Sequence, residues 1–156
     1  MTEGELAMTE AAWYERIGIP GLLRGARKAY GGAIRQAFED AGFDDVPRNG
    51  AFVLARVYDG HSEAAALARE LGISKQAVSQ LIDIMVMRAY LERAPDADDR
   101  RRTVLTLTPR GKAAATVSWE AATAVDEELT RRLGLAGVAD LRAGLIKLCE
   151  MAEERD

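Results

Sequence analysis

Residues 67–81 read LARELGISKQAVSQL, and that spacing admits few folds. Ala68 belongs to one helix, Gly72 stands where a left-handed corner can end it, and Ser74 can cap a second helix that carries Val78 and Leu81 on one face. Two short helices meeting at a steep angle follow from this. Further on, DADDRRRTVLTLTPRG reads as the charged tip and returning strand of a hairpin. A helix able to lie in a major groove, followed by an arginine-tipped loop able to reach a minor groove, is the pattern of a winged helix-turn-helix.

The remaining chain is predicted to be mainly α, with the hairpin as its only β element. Apolar residues recur from Leu22 to Ala41 as Leu22, Ala26, Tyr30, Ala33, Ala37 and Ala41, flanked by Leu23, Ile34 and Phe38, so a long helix with one buried face is expected. Pro20 suits its first turn, whereas Gly25, Gly31 and Gly32 each cost about 1 kcal/mol there relative to Ala. Either the helix bends at these glycines or something packs very close. Gly42 ends it, and a loop from Phe43 to Asn49 leads to a helix with Phe52, Val53, Val57 and Tyr58 inward and a turn at Asp59-Gly60. Ser62 is expected to cap the helix that runs to Leu71, and Ser74 the helix from Lys75 to about Arg88. Strands are predicted over Tyr90 to Ala94 and Arg102 to Leu107, with Pro95 to Arg101 as the tip and Leu105 and Leu107 on one face. Thr108-Pro109 opens a helix reaching Leu133. After a break at Leu135 to Gly137, a last helix carries Val138, Leu141, Leu145, Leu148 and Ala152 on one stripe.

With 156 residues, 48% of them apolar and 29% charged, the chain fits one domain able to bury a real core. Residues 1–12 are the expected exception, a flexible tail, because Met1 to Glu10 holds three glutamates and no basic residue. No apolar run resembles a signal sequence or a membrane span, so no membrane partner is expected and the predicted location is the cytoplasm. The net charge of −4 argues at first against a nucleic-acid partner. Its distribution reverses the argument: Arg88 to Lys112 holds seven basic and four acidic residues, a local +3, which leaves −7 for the rest. An acidic body with a basic edge limits indiscriminate binding and keeps local attraction where the wing sits.

Cys149 and His61 are each the only residue of their type, which excludes intrachain disulfides, structural zinc sites and Cys-x-x-Cys redox chemistry. Cys149, among Leu145, Leu148 and Ala152, is expected to be a buried structural thiol, and His61 a solvated loop residue. There is no glycine-rich phosphate loop and no nucleophile with a base partner, so neither catalytic residues, cofactor nor metal is expected, and the chain does not read as an enzyme.

In the helix from Lys75 to Arg88, Val78, Leu81, Ile82 and Met85 follow the helical period and should face the core, leaving Lys75, Gln76, Ser79, Gln80 and Asp83 outward. Ser74, Lys75, Gln76, Ser79 and Gln80 are the candidate major-groove residues, since Gln pairs bidentately with adenine while Ser and Lys serve base edges or phosphates. Asp83 would be repelled by phosphate and is expected to pair with a nearby base. At the wing, Arg100 is expected to reach the minor groove with Arg101 or Arg102 on phosphate, and Asp98 and Asp99 to orient the guanidinium groups.

These blocks resemble the multiple-antibiotic-resistance-regulator (MarR) family of dimeric winged-helix transcription factors. The resemblance runs from about Leu22 to Met151 and rests on GISKQAVSQL, DADDRR and LTLTPRG. The family's wing pattern, roughly Asp-Pro-x-Asp-Arg-Arg, falls on Asp96 to Arg101 with Ala97 in place of proline. Ala89 replaces the usual glycine in RAYLER, so a less sharply turned exit from the recognition helix is expected. The resemblance implies one domain over residues 13–156, with the winged helix-turn-helix at 45–111 and dimerisation helices at 13–44 and 112–156. The apolar outer helices agree, because a two-fold dimer is the simplest closed way to bury them.

The function so implied is regulation of transcription, as a repressor, by a homodimer on a pseudo-palindromic double-stranded DNA site with half-sites about 10 bp apart. Members of the family often respond to small aromatic acids or lipophilic drugs, for which Trp13, Tyr30 and Trp119 are the aromatic pocket candidates here. The competing reading is a winged-helix protein-interaction module without specific DNA binding.

Overall fold

The computed structural model of the chain describes Tyr14 and residues 16–61, 63–96 and 103–154. In chain order the elements are α1 (Ile19–Asp40), α2 (Gly50–Tyr58), α3 (Ala64–Leu71), α4 (Lys75–Met87), β1 (Leu91–Pro95), β2 (Thr103–Leu107) and α5 (Pro109–Glu153). The expected tail 1–12, Trp13, Ser62 and the wing residues Asp98, Asp99, Arg100, Arg101 and Arg102 lie outside the described residues.

Helices α1 to α4 all end in the same way. Near each cap one residue takes a left-handed φ: Gly42 at 76°, Gly60 at 87°, Gly72 at 64° and Ala89 at 57°. Its N–H and the next one then turn back onto the last turn. After α2, Gly60 donates to the Val57 carbonyl at 3.1 Å and His61 to that of Arg56 at 2.9 Å; after α4, Ala89 donates to Val86 and Tyr90 to Met85, both at 2.9 Å. These bonds satisfy carbonyls that a helix end leaves open. The expected loosening at Ala89 is therefore corrected: the exit from α4 is turned as sharply as at the glycines, with an alanine held where Cβ is unfavourable.

Helices α2, α3 and α4 share a core with the root of the hairpin and the start of α5. Val53, Leu54, Leu67, Val78, Met85 and Leu91 are almost wholly buried, joined by Leu81, Ile82, Leu105, Leu107, Ala114 and Ala115. Tyr58 departs from expectation: it stands 71% exposed, and Leu54 takes the inward position on α2. Glu63 occupies the N-cap of α3, one residue beyond the expected Ser62. The strands pair antiparallel from Leu91 with Leu107 to Pro95 with Thr103, so Pro95 belongs to the strand and not the tip. It sits at the strand's far end, where a residue without an N–H is tolerated.

Thr108 caps α5, its hydroxyl accepting from the Gly111 N–H at 3.0 Å. At Gly111 the helix passes so close to the hairpin root that a Cβ would lie 1.9 Å from the Tyr90 carbonyl oxygen. The predicted break at Leu135 to Gly137 falls instead on Gly134 alone, at φ 72° and ψ 166° within α5.

The outer helices are open. On α1 only Phe38 is buried, Leu22 and Leu23 are exposed, and nothing approaches within 4 Å of where a Cβ would sit at Gly25, Gly31 or Gly32. Among the described residues no close neighbour therefore accounts for those glycines. Beyond the break, Leu135, Leu141, Leu145, Leu148 and Met151 are exposed, and so is Cys149. The expectation of a buried thiol is corrected, because among the described residues no other element covers this end of α5.

Candidate nucleic-acid interface

The sequence places one helix so that it is fixed from behind and free in front. Val78, Leu81, Ile82 and Met85 anchor α4 in the core, each burial contributing about 1.5–3 kcal/mol. The Ser74 hydroxyl accepts from the Ala77 N–H at 3.1 Å and closes the first turn. Gly72 turns the preceding helix away at the corner. Opposite the anchored face, Ser74, Lys75, Gln76, Ser79 and Gln80 are all exposed, so the structure brings the five predicted helix residues onto one open surface. The Ser79 hydroxyl donates to the Lys75 carbonyl at 2.9 Å, while the side chains of Gln76 and Gln80 rise from adjacent turns.

Asp83, the acidic residue on this surface, accepts from Arg93 of β1 at 2.6 Å. The pair neutralises a charge that would repel phosphate and ties the outer face of α4 to the wing's first strand. Across the hairpin, Thr106 donates to Glu92 at 3.2 Å.

Behind this surface lies a polar cluster with no signal in the sequence. Asp45, in the loop before α2, accepts from the Tyr90 hydroxyl and, at 2.8 Å, from Arg110 in the first turn of α5. Its backbone carbonyl accepts from Arg88, the cap residue of α4. The fully buried Tyr90 ring packs against Phe43, with centroids 6.3 Å apart, and under the Arg110 guanidinium, 4.6 Å from the ring centre. The Tyr90 hydroxyl bond, then the charges of Arg110 and Arg88, hold the Asp45 carboxyl below its usual 3.8, while burial and the bond to Asp45 push the Tyr90 phenol up.

Of the predicted aromatic pocket residues, Tyr30 and Trp119 fall within the described residues and Trp13 outside them. Tyr30 of α1 donates to Asp126 of α5 at 2.5 Å, a bond that with burial pushes its phenol to about 12. Trp119 is 67% exposed. An open cleft of about 430 Å³ between α1 and α5 is lined by Ala33, Gln36, Ala37, Asp40, Ala121, Ala124, Val125 and Glu128.

Residues 45–102, which span the helix-turn-helix and run into the wing, match the MarR family. Over that segment the chain is similar to the MarR family. Solved structures agree over most of the length. The reduced form of MarR from E. coli is 22% identical, with a TM-score of 0.64 over 85% of this chain and 96% of its own. Transcriptional regulator Tm0710 from Thermotoga maritima is 23% identical, with a TM-score of 0.53 over 87% and 94%. BpsR of Bordetella bronchiseptica, whose DNA binding is regulated by 6-hydroxynicotinic acid, is 22% identical, with a TM-score of 0.64 over 85% and 93%. These likenesses show that the chain shares the fold of those structures. No protein of curated function matches the chain. Among the described residues no helix is long and apolar enough to cross a membrane.

Proposed function

We propose that this chain is a sequence-specific repressor of transcription that binds a pseudo-palindromic operator as a homodimer. The observation that carries the reading is the exposed row Ser74, Lys75, Gln76, Ser79 and Gln80 on a helix whose opposite face is locked into the core. A rigidly held helix with short polar side chains near its N-terminus suits a major groove, where Gln76 and Gln80 would read base edges and Ser74 and Lys75 take phosphate. Arg100 would enter the minor groove with Arg101 and Arg102 on the backbone, steered by Asp98 and Asp99. Dimerisation is supported by the apolar surface left open on α1 and on the distal part of α5, including Leu22, Leu141, Leu145 and Leu148. This assigns residues 45–111 to reading and residues 13–44 and 112–156 to assembly within one domain, 13–156. Release by a small aromatic acid is proposed on the likeness to BpsR, with Tyr30 and Trp119 on the helices through which such a signal would pass.

Selection of bound genomic fragments should return a two-fold symmetric site. Gln80→Ala should then cost about 1–3 kcal/mol at one base position, whereas Arg101→Ala, at a phosphate, should weaken every sequence and lower the salt dependence. If neither substitution alters binding to any palindromic duplex, the DNA assignment is wrong and the hairpin serves a protein partner.

A further inference from the structure

A two-stranded hairpin has little stability of its own, so its aim depends on what holds its root. Three chain exits meet at that root. The recognition helix leaves at Arg88, β1 begins just after Tyr90, and β2 returns through Thr108 into Arg110 of α5. Thr108 closes the root, its N–H donating to the Tyr90 carbonyl at 3.2 Å and its hydroxyl to that of Ala89 at 2.5 Å. Arg88, Tyr90 and Arg110 each donate to Asp45, a residue that precedes the helix-turn-helix by a whole helix.

Each contact does something different. The Arg88 bond to the Asp45 backbone fixes the end of α4. The Tyr90 hydroxyl bond fixes the start of the wing, and Arg110, held by the carboxylate and stacked on the Tyr90 ring, fixes the foot of α5. Other contacts set pairwise angles here: Asp83 with Arg93 joins α4 to β1 alone, and Arg56 with Glu70 joins α2 to α3 alone. Asp45 sets three at once, two through its carboxylate and one through a backbone carbonyl that any residue at this position would keep.

We infer that the Asp45 carboxylate is the positioning group of the reading head, locking the start of the wing at one angle to α5. The inference rests on the operator-binding function proposed above and adds a role in half-site geometry. The outer helices carry the open apolar surface, so the angle at the foot of α5 sets how far apart two reading heads stand in a dimer. A joint with play would accept half-sites at more than one separation; a locked joint rejects them.

The experiment measures the affinity of the full chain for its selected operator and for versions with one base pair added or removed between half-sites, a shift of roughly 3.4 Å. Wild type should discriminate sharply. Asp45→Ala should bind the correct operator about three- to thirtyfold more weakly, the range that coupling between linked elements spans, and should lose most of the spacing discrimination. Tyr90→Phe keeps the ring between Phe43 and Arg110 and removes only the hydroxyl, so it serves if Asp45→Ala does not fold, and it should relax spacing in the same direction. Asp45→Asn, which keeps an acceptor oxygen, should restore part of the discrimination. A variant that melts earlier yet keeps the wild-type spacing ratio would make Asp45 merely structural and overturn the inference. Should wild type select no operator at all, the regulator reading itself falls, a result seen before any variant is tested.

Discussion

Replacing Ala89 by glycine should make the protein more stable, although it removes a methyl group and adds no contact. Ala89 sits at φ 57° in the turn that ends α4, the place filled by Gly42, Gly60 and Gly72 after the three helices before it. A left-handed conformation costs an L-residue about 1–2 kcal/mol through the clash of Cβ with the following carbonyl. Glycine escapes that cost but gives the unfolded chain more freedom, a loss of about 0.4–1 kcal/mol. Ala89 is exposed, so no packing is forfeited. The balance is a gain of about 0.5–1 kcal/mol. In a chain of this size that raises the melting temperature by about 1–4 °C. Urea unfolding at one fixed protein concentration should show a higher midpoint with an unchanged slope. Gly72→Ala, the reverse change at the matching corner, should cost a similar amount. An Ala89→Gly variant that is less stable, or unchanged while Gly72→Ala is destabilised, would refute the account of this turn.

Gly111→Ala should destabilise by more than 1 kcal/mol, in the range of other overpacking changes, because its methyl would meet the Tyr90 carbonyl and the neighbour is backbone; thermal melts would show it. Acid unfolding should depend on Glu70, which the hydrogen bond from Arg56 holds below its usual 4.5. The folded carboxyl takes up a proton less readily than the unfolded one, so its contribution is complete above pH 4.5 and is lost as pH falls through the lower folded value. Glu70→Gln should flatten that part of the stability profile. In an ultraviolet titration, Asp126→Asn should bring one tyrosine, Tyr30, down from about 12 towards 10. Charge placed on the open stripe, as in Leu148→Asp, should yield monomers in sedimentation if that surface joins two copies.

The helix-turn-helix was legible in the sequence because each of its parts is local. Gly72, Ser74 and Thr108-Pro109 mark helix ends within a few residues of the backbone groups they satisfy, and the buried positions of α4 follow from period alone. Tyr58 and Cys149 were not legible, since periodicity identifies an apolar face without saying whether anything in the same chain covers it. The cluster at Asp45 escaped for another reason. Its members are separated by up to 65 residues, and a lone aspartate in a polar loop looks the same whether it faces water or holds three donors. Ala89 ran against expectation because the fold's demand for a turn outweighed the residue's own preference.

The break at Gly134 divides α5 into two rods joined at one residue. A continuous helix passes a twist from end to end through its hydrogen-bond ladder, but a residue at φ 72° and ψ 166° interrupts the ladder and lets the distal rod take its own azimuth. The surface beyond Gly134 is therefore tied to the proximal rod through one residue's backbone, so in a dimer the angle at Gly134 would add to the one at the foot of α5 in setting where that surface lies. Hydrogen exchange should register the seam as amides that open independently on its two sides.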